Sequence, residues 1–415
     1  MTLNTNNKRH QDGIIPSQLF AAIGLMQDLE GEKQLYHSWR MALIGSALAR
    51  KMSPEHEADV FFATMLAEVG ALHFPRHIVH SLADLPASIN QKSKVNLFFH
   101  PEVAYEITRS MPNLKQVAKL VRVHHENLDG SGYPRGLRRE QLDVPAQILR
   151  VSEQLEMIIR SDNPENLKEI QRALKPYIGE SLSQETYDTL YEILTENGLF
   201  ATLLNEEKLA AAMEKQIDHL SDKLLFTDKQ QVDQFIDVLG DLIDTRNQSF
   251  SKGQARNIRN LAAQIGIKLG LNEHQLRHLH WAGNLQNIGE VSLRNIVLGK
   301  KTPLEDEERR LIKQHPVQAY QLLSQVEGME DVAKIARHHH ENYNGSGYPD
   351  GLAQDTIPIE SRIIRVADTF FAMVSERPYR RKRDWKRAAN ELKSKSGKFF
   401  DPEVVEKTMP LLMNQ

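Results

Sequence analysis

The chain has 415 residues, of which 40% are hydrophobic, and a formal net charge of -3 at pH 7. This length predicts two or three domains with real cores, and the nearly balanced, interspersed charge argues against nucleic acid or an anionic membrane as a partner. Cysteine is absent, which excludes disulfides, thiolate zinc sites and a cysteine nucleophile.

The N-terminal stretch, residues 1–14, is polar and is predicted to be flexible, and no secretory signal is visible in it. The most apolar stretch, "VFFATMLAEVGAL", is shorter than the roughly 18 to 20 residues that cross a bilayer, and it contains Glu68. We therefore expect a cytoplasmic protein that does not enter the membrane.

One block of sequence occurs twice, as "HHENLDGSGYPRGL" at 124–137 and as "HHENYNGSGYPDGL" at 339–352. Flanking segments align as well: "FFHPEVAYEI" matches "KQHPVQAYQL", and "PAQILRVSEQLEMI" matches "ESRIIRVADTFFAM". A repeat of this length is a duplicated domain and not a solenoid. The two copies are predicted to occupy residues 15–200 and 228–415.

Apolar residues recur within both copies at the spacing of one helix face. One such set in the second copy is Ile258, Leu261, Ala262, Ile265 and Leu269. The same spacing predicts a connecting helix at 201–227, and its apolar residues are Leu209, Met213, Ile217, Leu220 and Leu224. We interpret that helix as facing a core, with a coiled-coil contact as the alternative. No alternating strand pattern is found, so the fold class is all-α, and each "GSGYP" is predicted to be a loop.

Paired histidines before a glycine-rich loop suggest imidazoles near a ligand. In the first copy His37, His100 and Glu153 lie on other predicted helices. Imidazoles and carboxylates that converge from several helices form the kind of site that binds two metal ions for hydrolysis. The alternative is structural: buried histidines paired with backbone groups or with Glu126 and Glu341.

In these motifs the chain resembles the HD-GYP branch of the HD phosphohydrolase superfamily. The two repeated blocks, "RVADTFFAMVSERPYR" and "FFDPEVV" carry the resemblance, which covers nearly all of both copies. It implies an all-α fold, two or three iron or manganese ions, and hydrolysis of cyclic di-GMP or cyclic GMP-AMP. It also implies that the GYP loop lies near the nucleotide or contacts diguanylate cyclases of the GGDEF type.

The resemblance assigns six metal positions in the first copy, which are His37, Glu68, His100, His124, His125 and Glu153. Two of them, Glu68 and Glu153, replace aspartates of the family, and Ala67 replaces the histidine of the His-Asp pair. Glutamate keeps the charge and can bind hard or borderline metals. The first copy is therefore the candidate site for iron or manganese, with Glu68 as its catalytic carboxylate if the copy is active.

The second copy departs further from the family pattern. Gln254, Gln286 and Asn287 stand where the family has metal ligands. The remaining family positions there are His315, His339, His340 and Asp368. A single carboxylate would leave two dications poorly neutralised, so no metal is expected in this copy.

The two GYP loops are intact in both copies, at Gly132, Tyr133, Pro134, Gly347, Tyr348 and Pro349. They are candidates for binding a ligand or a partner, and the alternative is that they only close the fold. The leading hypothesis is a catalytically impaired, regulatory member of cyclic-dinucleotide signalling, with two HD-type domains packed as a pseudo-dimer. Its partners would be a cyclic dinucleotide, a GGDEF-type cyclase or a second copy of the chain. The alternatives are a phosphodiesterase with its site in the first copy, and a purely structural regulator.

Overall fold

The computed structural model describes residues 16–28, 36–71, 98–196, 198–220, 226, 228–246, 253–292, 304–375 and 382–413. The predicted flexible segment 1–14 lies outside these residues. The chain divides into two compact units, the first ending at Thr227 and the second continuing from Asp228. Within the described parts the secondary structure is helical and pairing between extended segments is limited to isolated bridges. The prediction of an all-α chain with two helical domains is confirmed, and the pseudo-dimer stays a prediction.

The helices of the first unit are numbered in chain order. They are α1 (Pro16–Asp28), α2 (His37–Met52), α3 (Glu57–Leu66), α4 (His100–Arg109), α5 (Lys115–Val121), α6 (Val144–Asp162), α7 (Leu167–Leu174), α8 (Gln184–Glu196), α9 (Leu199–Leu203) and α10 (Glu206–Leu220). Helix α2 is buried along most of its length and packs against α3 and α6. The three helices thus form the centre on which the site is built.

Local sequence explains where the central helix α6 begins. The side chain of Asp143 accepts a hydrogen bond from the Ala146 backbone N–H at 3.0 Å, and Pro145 occupies the first turn, where its missing N–H costs nothing. The helix then buries two carboxylates, Glu153 and Glu156, in its middle. Charged groups this deep require partners, and those partners define the site.

The helix predicted at 201–227 corresponds to α9 and α10. Leu209, Met213, Ile217 and Leu220 are all buried, and α10 packs against α1 and α2. The apolar face therefore covers the core of the first unit, as the core-facing interpretation expects. Leu224 lies outside the described residues.

The second unit repeats the order of the first. Its helices are α11 (Lys229–Arg246), α12 (Gln254–Lys268), α13 (Glu273–Leu285), α14 (Asp306–Lys313), α15 (His315–Leu323), α16 (Glu330–His338), α17 (Ile359–Val374), α18 (Trp385–Ser394) and α19 (Pro402–Met413). Helix α12 packs against α13 and α17, as α2 packs against α3 and α6. The predicted apolar face of α12 is buried at Ile258, Leu261, Ala262 and Ile265. Among the described residues no helix has the length and apolar character to span a bilayer.

Candidate metal centre

The first unit brings four of its six assigned side chains together. Ligand atoms of Glu68, His100, His124 and His125 all lie within 4.8 Å of one another, and all four residues are buried. Glu68 follows α3, His100 begins α4, and the paired histidines follow α5. Three separate segments therefore converge on one point, the arrangement that a bound cation needs.

A glycine allows this convergence. The short turn Val69–Ala71 after Glu68 packs directly on the first turn of α4, and a Cβ at Gly70 would overlap the carbonyl oxygen of His100. Only glycine permits so close an approach of two backbones. Gly289 meets the carbonyl oxygen of His315 in the same way in the second unit. The close packing holds residue 68 beside residue 100.

The three imidazoles face the same carboxylate. Glu68 oxygens lie 3.6 Å from His100 Nε2, 3.5 Å from His124 Nε2 and 3.8 Å from His125 Nε2. The His100 and His124 Nε2 atoms are 3.2 Å apart. One carboxylate with three nitrogen donors forms a compact set, and N and O ligands of this kind suit iron, manganese or zinc.

Hydrogen bonds at the far side of each ring orient these donors. His124 Nδ1 donates to the Val121 carbonyl at 2.6 Å, and His125 Nδ1 lies 3.1 Å from a Glu153 oxygen. Such contacts place the proton on Nδ1 and leave the Nε2 lone pair for a metal. His125 Nε2 is buried and makes no hydrogen bond to the described residues. The residues present therefore fit a single divalent metal ion.

Charges around the histidines support the same conclusion. Burial lowers the pKa of His124, but the hydrogen bond and charge of Glu68, together with the Glu153 charge and the Val121 carbonyl, raise it overall, so this position attracts positive charge. Burial lowers the pKa of His125. For Glu153, burial opposes ionisation, yet His125 and Arg150 hold its pKa well below the ordinary value. Glu153 also pairs with Arg150 at 2.9 Å, so it acts through His125 and lies outside the four-residue group.

His37 contacts Glu156, a carboxylate outside the four-residue group. Its Nδ1 lies 2.5 Å from a Glu156 oxygen, and the other oxygen of Glu156 lies 3.3 Å from Arg40. Arg160 approaches the same carboxylate at 3.6 Å. Sequence reasoning missed Glu156, although it lies three residues after Glu153 and so on nearly the same helix face. Glu156 thus holds His37 through Nδ1, as Glu153 holds His125, and His37 is not one of the four grouped residues.

The second unit groups three imidazoles without a carboxylate. Ligand atoms of His315, His339 and His340 lie within 4.8 Å of one another, and Asp368 is not part of that group. His315 and His339 each donate Nδ1–H to a backbone carbonyl, at 2.7 and 2.6 Å, and their Nε2 atoms are 3.3 Å apart. Two neutral rings held in this way present lone pairs to each other, and a shared proton, a water molecule or a metal ion would relieve their repulsion.

The buried surroundings of His315 and His339 nevertheless disfavour the protonated, positively charged form of both rings. Burial lowers the pKa of His315 to about 4, and burial with the neighbouring His315 lowers the pKa of His339 well below its ordinary value. Gln286, at the position of a family ligand, is buried with an Oε1 that has no hydrogen bond among the described residues. The expectation that this unit takes no metal stays a prediction.

The glutamate of each His-His-Glu triplet holds the GYP loop. Glu126 accepts hydrogen bonds from the backbone N–H groups of Arg135 and Leu137, both at 2.8 Å. Glu341 likewise accepts from Asp350 and Gly351, at 2.7 and 3.0 Å. These carboxylates bind the loop backbone, and the paired histidines find other partners. The loops are therefore clamped to the histidine turn from which they start.

Close packing adds to this clamp. A Cβ at Gly132 would overlap the Asn127 backbone nitrogen, and one at Gly347 would overlap that of Asn342. The Tyr-Pro peptide bonds that follow, Tyr133–Pro134 and Tyr348–Pro349, are cis in both units. The GYP sequence thus has a structural role. Binding of a ligand or a partner by the loop stays a prediction.

The tyrosines lie directly over the histidines. The Tyr133 ring stacks on His125 with centroids 4.6 Å apart, and Tyr348 stacks on His340 at 4.9 Å. Burial, with the Glu153 charge, raises the pKa of Tyr133 well above its ordinary value, so its hydroxyl stays protonated. That hydroxyl has no hydrogen bond among the described residues. It is a neutral donor placed beside the metal centre.

The side chain that contacts the GYP tyrosine from the start of the His-Pro segment differs between the two units, and sequence reasoning missed it. Phe98 is 41% exposed and its ring meets Tyr133 edge-on, with centroids 5.0 Å apart. At the aligned position of the second unit, Lys313 places its ammonium 5.4 Å from the Tyr348 centroid. This side chain is thus aromatic in the first unit, which suits a nucleobase, and cationic in the second.

The clamp can be tested directly. We expect Glu126→Ala to lower the opening free energy of the first GYP loop by about 1–3 kcal/mol, because two backbone N–H groups lose their acceptor. Hydrogen exchange measured by mass spectrometry should show faster exchange in peptides covering residues 128–137. The matched control is Glu140→Ala, an exposed carboxylate in the neighbouring turn Arg139–Gln141. Equal exchange in the two variants would contradict the clamp.

Known protein families and relatives match both units of the chain. The profile of the HD-domain family matches the chain twice, over residues 26–189 and 237–404. Over 385 residues the chain is 24% identical to the 3'3'-cGAMP-specific phosphodiesterase 1 of Vibrio cholerae, covering 88% of this chain and 84% of that protein. The match follows both copies of the duplication.

Shorter matches are closer in sequence. The chain is 39% identical over 148 residues, 35% of its length, to the cyclic di-GMP phosphodiesterase response regulator RpfG of Xanthomonas campestris. It is 38% identical over 153 residues, 36% of its length, to a cyclic di-GMP phosphodiesterase of Thermotoga maritima. The chain spans only 39% and 42% of the length of these two relatives.

One solved structure covers nearly the whole chain. The crystal structure of the cyclic GMP-AMP specific phosphodiesterase V-cGAP3 of Vibrio cholerae aligns with a TM-score of 0.63 at 17% identity. The alignment covers 97% of this chain and 98% of that one. The likeness shows a shared fold.

Proposed function

Because this protein belongs to the HD-domain family, and within it to the HD-GYP group, we propose that it binds a cyclic dinucleotide at its first unit and acts mainly as a regulatory protein. The observation that carries the proposal is the buried group of Glu68, His100, His124 and His125. It supports one metal ion, and the relatives that match the chain are named for hydrolysis of cyclic di-GMP or cyclic GMP-AMP.

The proposed metal is a single iron or manganese ion. Glu68 and the three Nε2 atoms would hold it, while Val121 and Glu153 fix the rings from behind. When bound, such an ion supplies a positive charge that attracts a phosphate oxygen. Tyr133 offers its protonated hydroxyl to the same phosphate, and Phe98 offers a ring face to a base.

Impaired catalysis follows from the residues around this group. The resemblance implies a pair of metals bridged by a carboxylate, which requires more ligands than one glutamate and three histidines. His37 and Glu153 are not among the four residues whose ligand atoms lie within 4.8 Å of one another, and Glu153 pairs with Arg150 and His125. Ala67 and Ala71 stand where the resemblance implies a histidine ligand and a lysine, so both groups are lost. These features support binding over turnover.

A second candidate is a genuine phosphodiesterase at the same site. The observation that favours it is Glu68, which brings a negative charge within 3.8 Å of all three Nε2 atoms. A carboxylate in this place can both bind metal and direct water. The two candidates differ in turnover and not in binding.

The proposal is tested on the full chain purified after iron or manganese supplementation. We expect about one metal per chain by mass spectrometry, and calorimetric binding of cyclic di-GMP or 3'3'-cGAMP that disappears in His124→Ala. Hydrolysis should not exceed the level of that variant. The matched control is His274→Ala, an exposed histidine outside both groups, which should bind like the parent.

Other results would decide against the proposal. Enzyme-like hydrolysis that His124→Ala abolishes would establish the second candidate. Failure to bind either nucleotide with metal present would favour a purely structural regulator. A GGDEF-type cyclase as partner of the GYP loops, and a homodimer, stay predictions that a pull-down with purified cyclase and a sedimentation measurement can test.

A further inference from the structure

The first unit contains a cavity apart from the metal centre. It has a volume of about 650 Å³ and lies between α2, α8, α9 and α10. Leu43, Ile193 and Leu199 form part of an aliphatic wall, and its size falls in the range of small-molecule sites. None of the residues that line it belongs to the four-residue metal group.

The ionisable side chains that line the cavity are all basic: Arg50, Lys215 and His219. The nearby carboxylate of Glu57 is already engaged by Arg50 at 2.8 Å and by His219 at 3.3 Å, and Gln216 donates to it at 2.9 Å. Among the described residues no carboxylate pairs with Lys215. Lys215 is exposed, so the cavity joins an aliphatic wall to a solvated ammonium group that pairs with no carboxylate of the described residues.

We propose that this cavity binds a small organic acid with an apolar body, and that its occupancy regulates the metal centre. The aliphatic wall would take the body and Lys215 the carboxylate, since a paired charge is the low-cost way to place an anion at a partly apolar surface. A neutral apolar ligand would gain nothing from the ammonium group, and a cation would meet like charges.

The regulatory part rests on a chain of contacts. Helix α9, which contributes Leu199 to the cavity, ends at Leu203, whose carbonyl accepts a hydrogen bond from Arg40 Nε at 3.1 Å. Arg40 also pairs with Glu156, and Glu156 holds His37. A ligand that shifts α9 therefore acts on the carboxylate that orients His37, one of the six metal positions that the resemblance assigns to the first unit. Asn257 and Phe371 stand at the aligned positions of the second unit, which cannot form this chain.

Decanoate is the probe for the first experiment, by calorimetry on the full chain. We expect saturable binding that weakens at least about tenfold in Lys215→Glu, the scale of losing a charge-assisted hydrogen bond. Ala212→Trp, which fills the cavity, should abolish binding. Lys208→Glu, an exposed lysine of the same helix outside the cavity, should bind like the parent. Circular dichroism checks folding, and Thr202→Trp fills the same cavity should Ala212→Trp not fold.

Binding that survives both cavity-filling variants, or no binding at millimolar decanoate, would overturn the proposal. The regulatory part uses Mn²⁺ alone, with free ion followed by electron paramagnetic resonance. Saturating decanoate should change the Mn²⁺ affinity severalfold in the parent and leave it unchanged in Arg40→Met. An unchanged Mn²⁺ affinity in the parent would overturn the regulatory part. The calorimetry needs neither metal nor nucleotide. An absence of decanoate binding would therefore leave the proposed function untouched.

Discussion

Replacing Glu156 by leucine should destabilise the first unit by about 3–5 kcal/mol, the cost of removing one partner from a buried charge network. The Glu156 side chain is 0% exposed and contacts His37, Arg40 and Arg160, and the two arginine side chains are only 16% and 14% exposed. Without the carboxylate, two guanidinium groups remain partly buried near each other. Urea titration read by hydrogen exchange of first-unit peptides measures the effect, because it separates this unit from the second.

The matched control is Phe371→Leu, the aligned position in the second unit, which has no carboxylate to lose. A further variant tests the cause directly. The triple replacement His37→Gln, Arg40→Asn and Glu156→Phe copies three residues of the second unit, and it should recover part of the lost stability because only one of the two guanidinium groups then remains without the carboxylate. A Glu156→Leu variant as stable as its parent would show that the carboxylate does not hold the network.

Exchanging one residue between the units should transfer metal affinity. Glu68→Asn gives the first unit the residue of the second, and we expect its Mn²⁺ affinity to fall at least about 100-fold. A lost ligand should cost no less than a lost outer-shell partner, whose removal costs 10- to 100-fold. The remaining three imidazoles carry no negative charge to offset the dication. Electron paramagnetic resonance of free Mn²⁺ measures the affinity in each variant.

The reciprocal change, Asn287→Glu, should raise the Mn²⁺ affinity of the second unit. His315 and His339 already direct their Nε2 lone pairs at each other across 3.3 Å, so a carboxylate supplies the charge that the group lacks. Asn287→Gln is the control, since it has the length of glutamate without its charge. Equal affinity in Asn287→Glu and Asn287→Gln would mean that charge at this position does not decide metal binding.

The residues that sequence reasoning placed correctly are those encoded by local pattern. Helical spacing located the buried face of α12 and the core-facing helix α10, because burial of one helix face is a property of neighbouring residues along the chain. The paired histidines and the histidine of each His-Pro dipeptide lie in short contiguous motifs. Their convergence with Glu68 in the first unit is a property of the folded chain, since three separate segments carry them.

By itself, then, the sequence determined an all-helical, duplicated chain and singled out three histidines in each copy as candidate site residues. Only the tertiary structure decided what those residues contact. Glu156 and His37 are 119 residues apart, and Glu57 meets Gln216 across 159. Nothing local marks such pairs, because a buried charge is stabilised by whichever segment the fold brings beside it. The same reason explains why the cavity between α2 and α10, with its basic wall, could not be read from either helix alone.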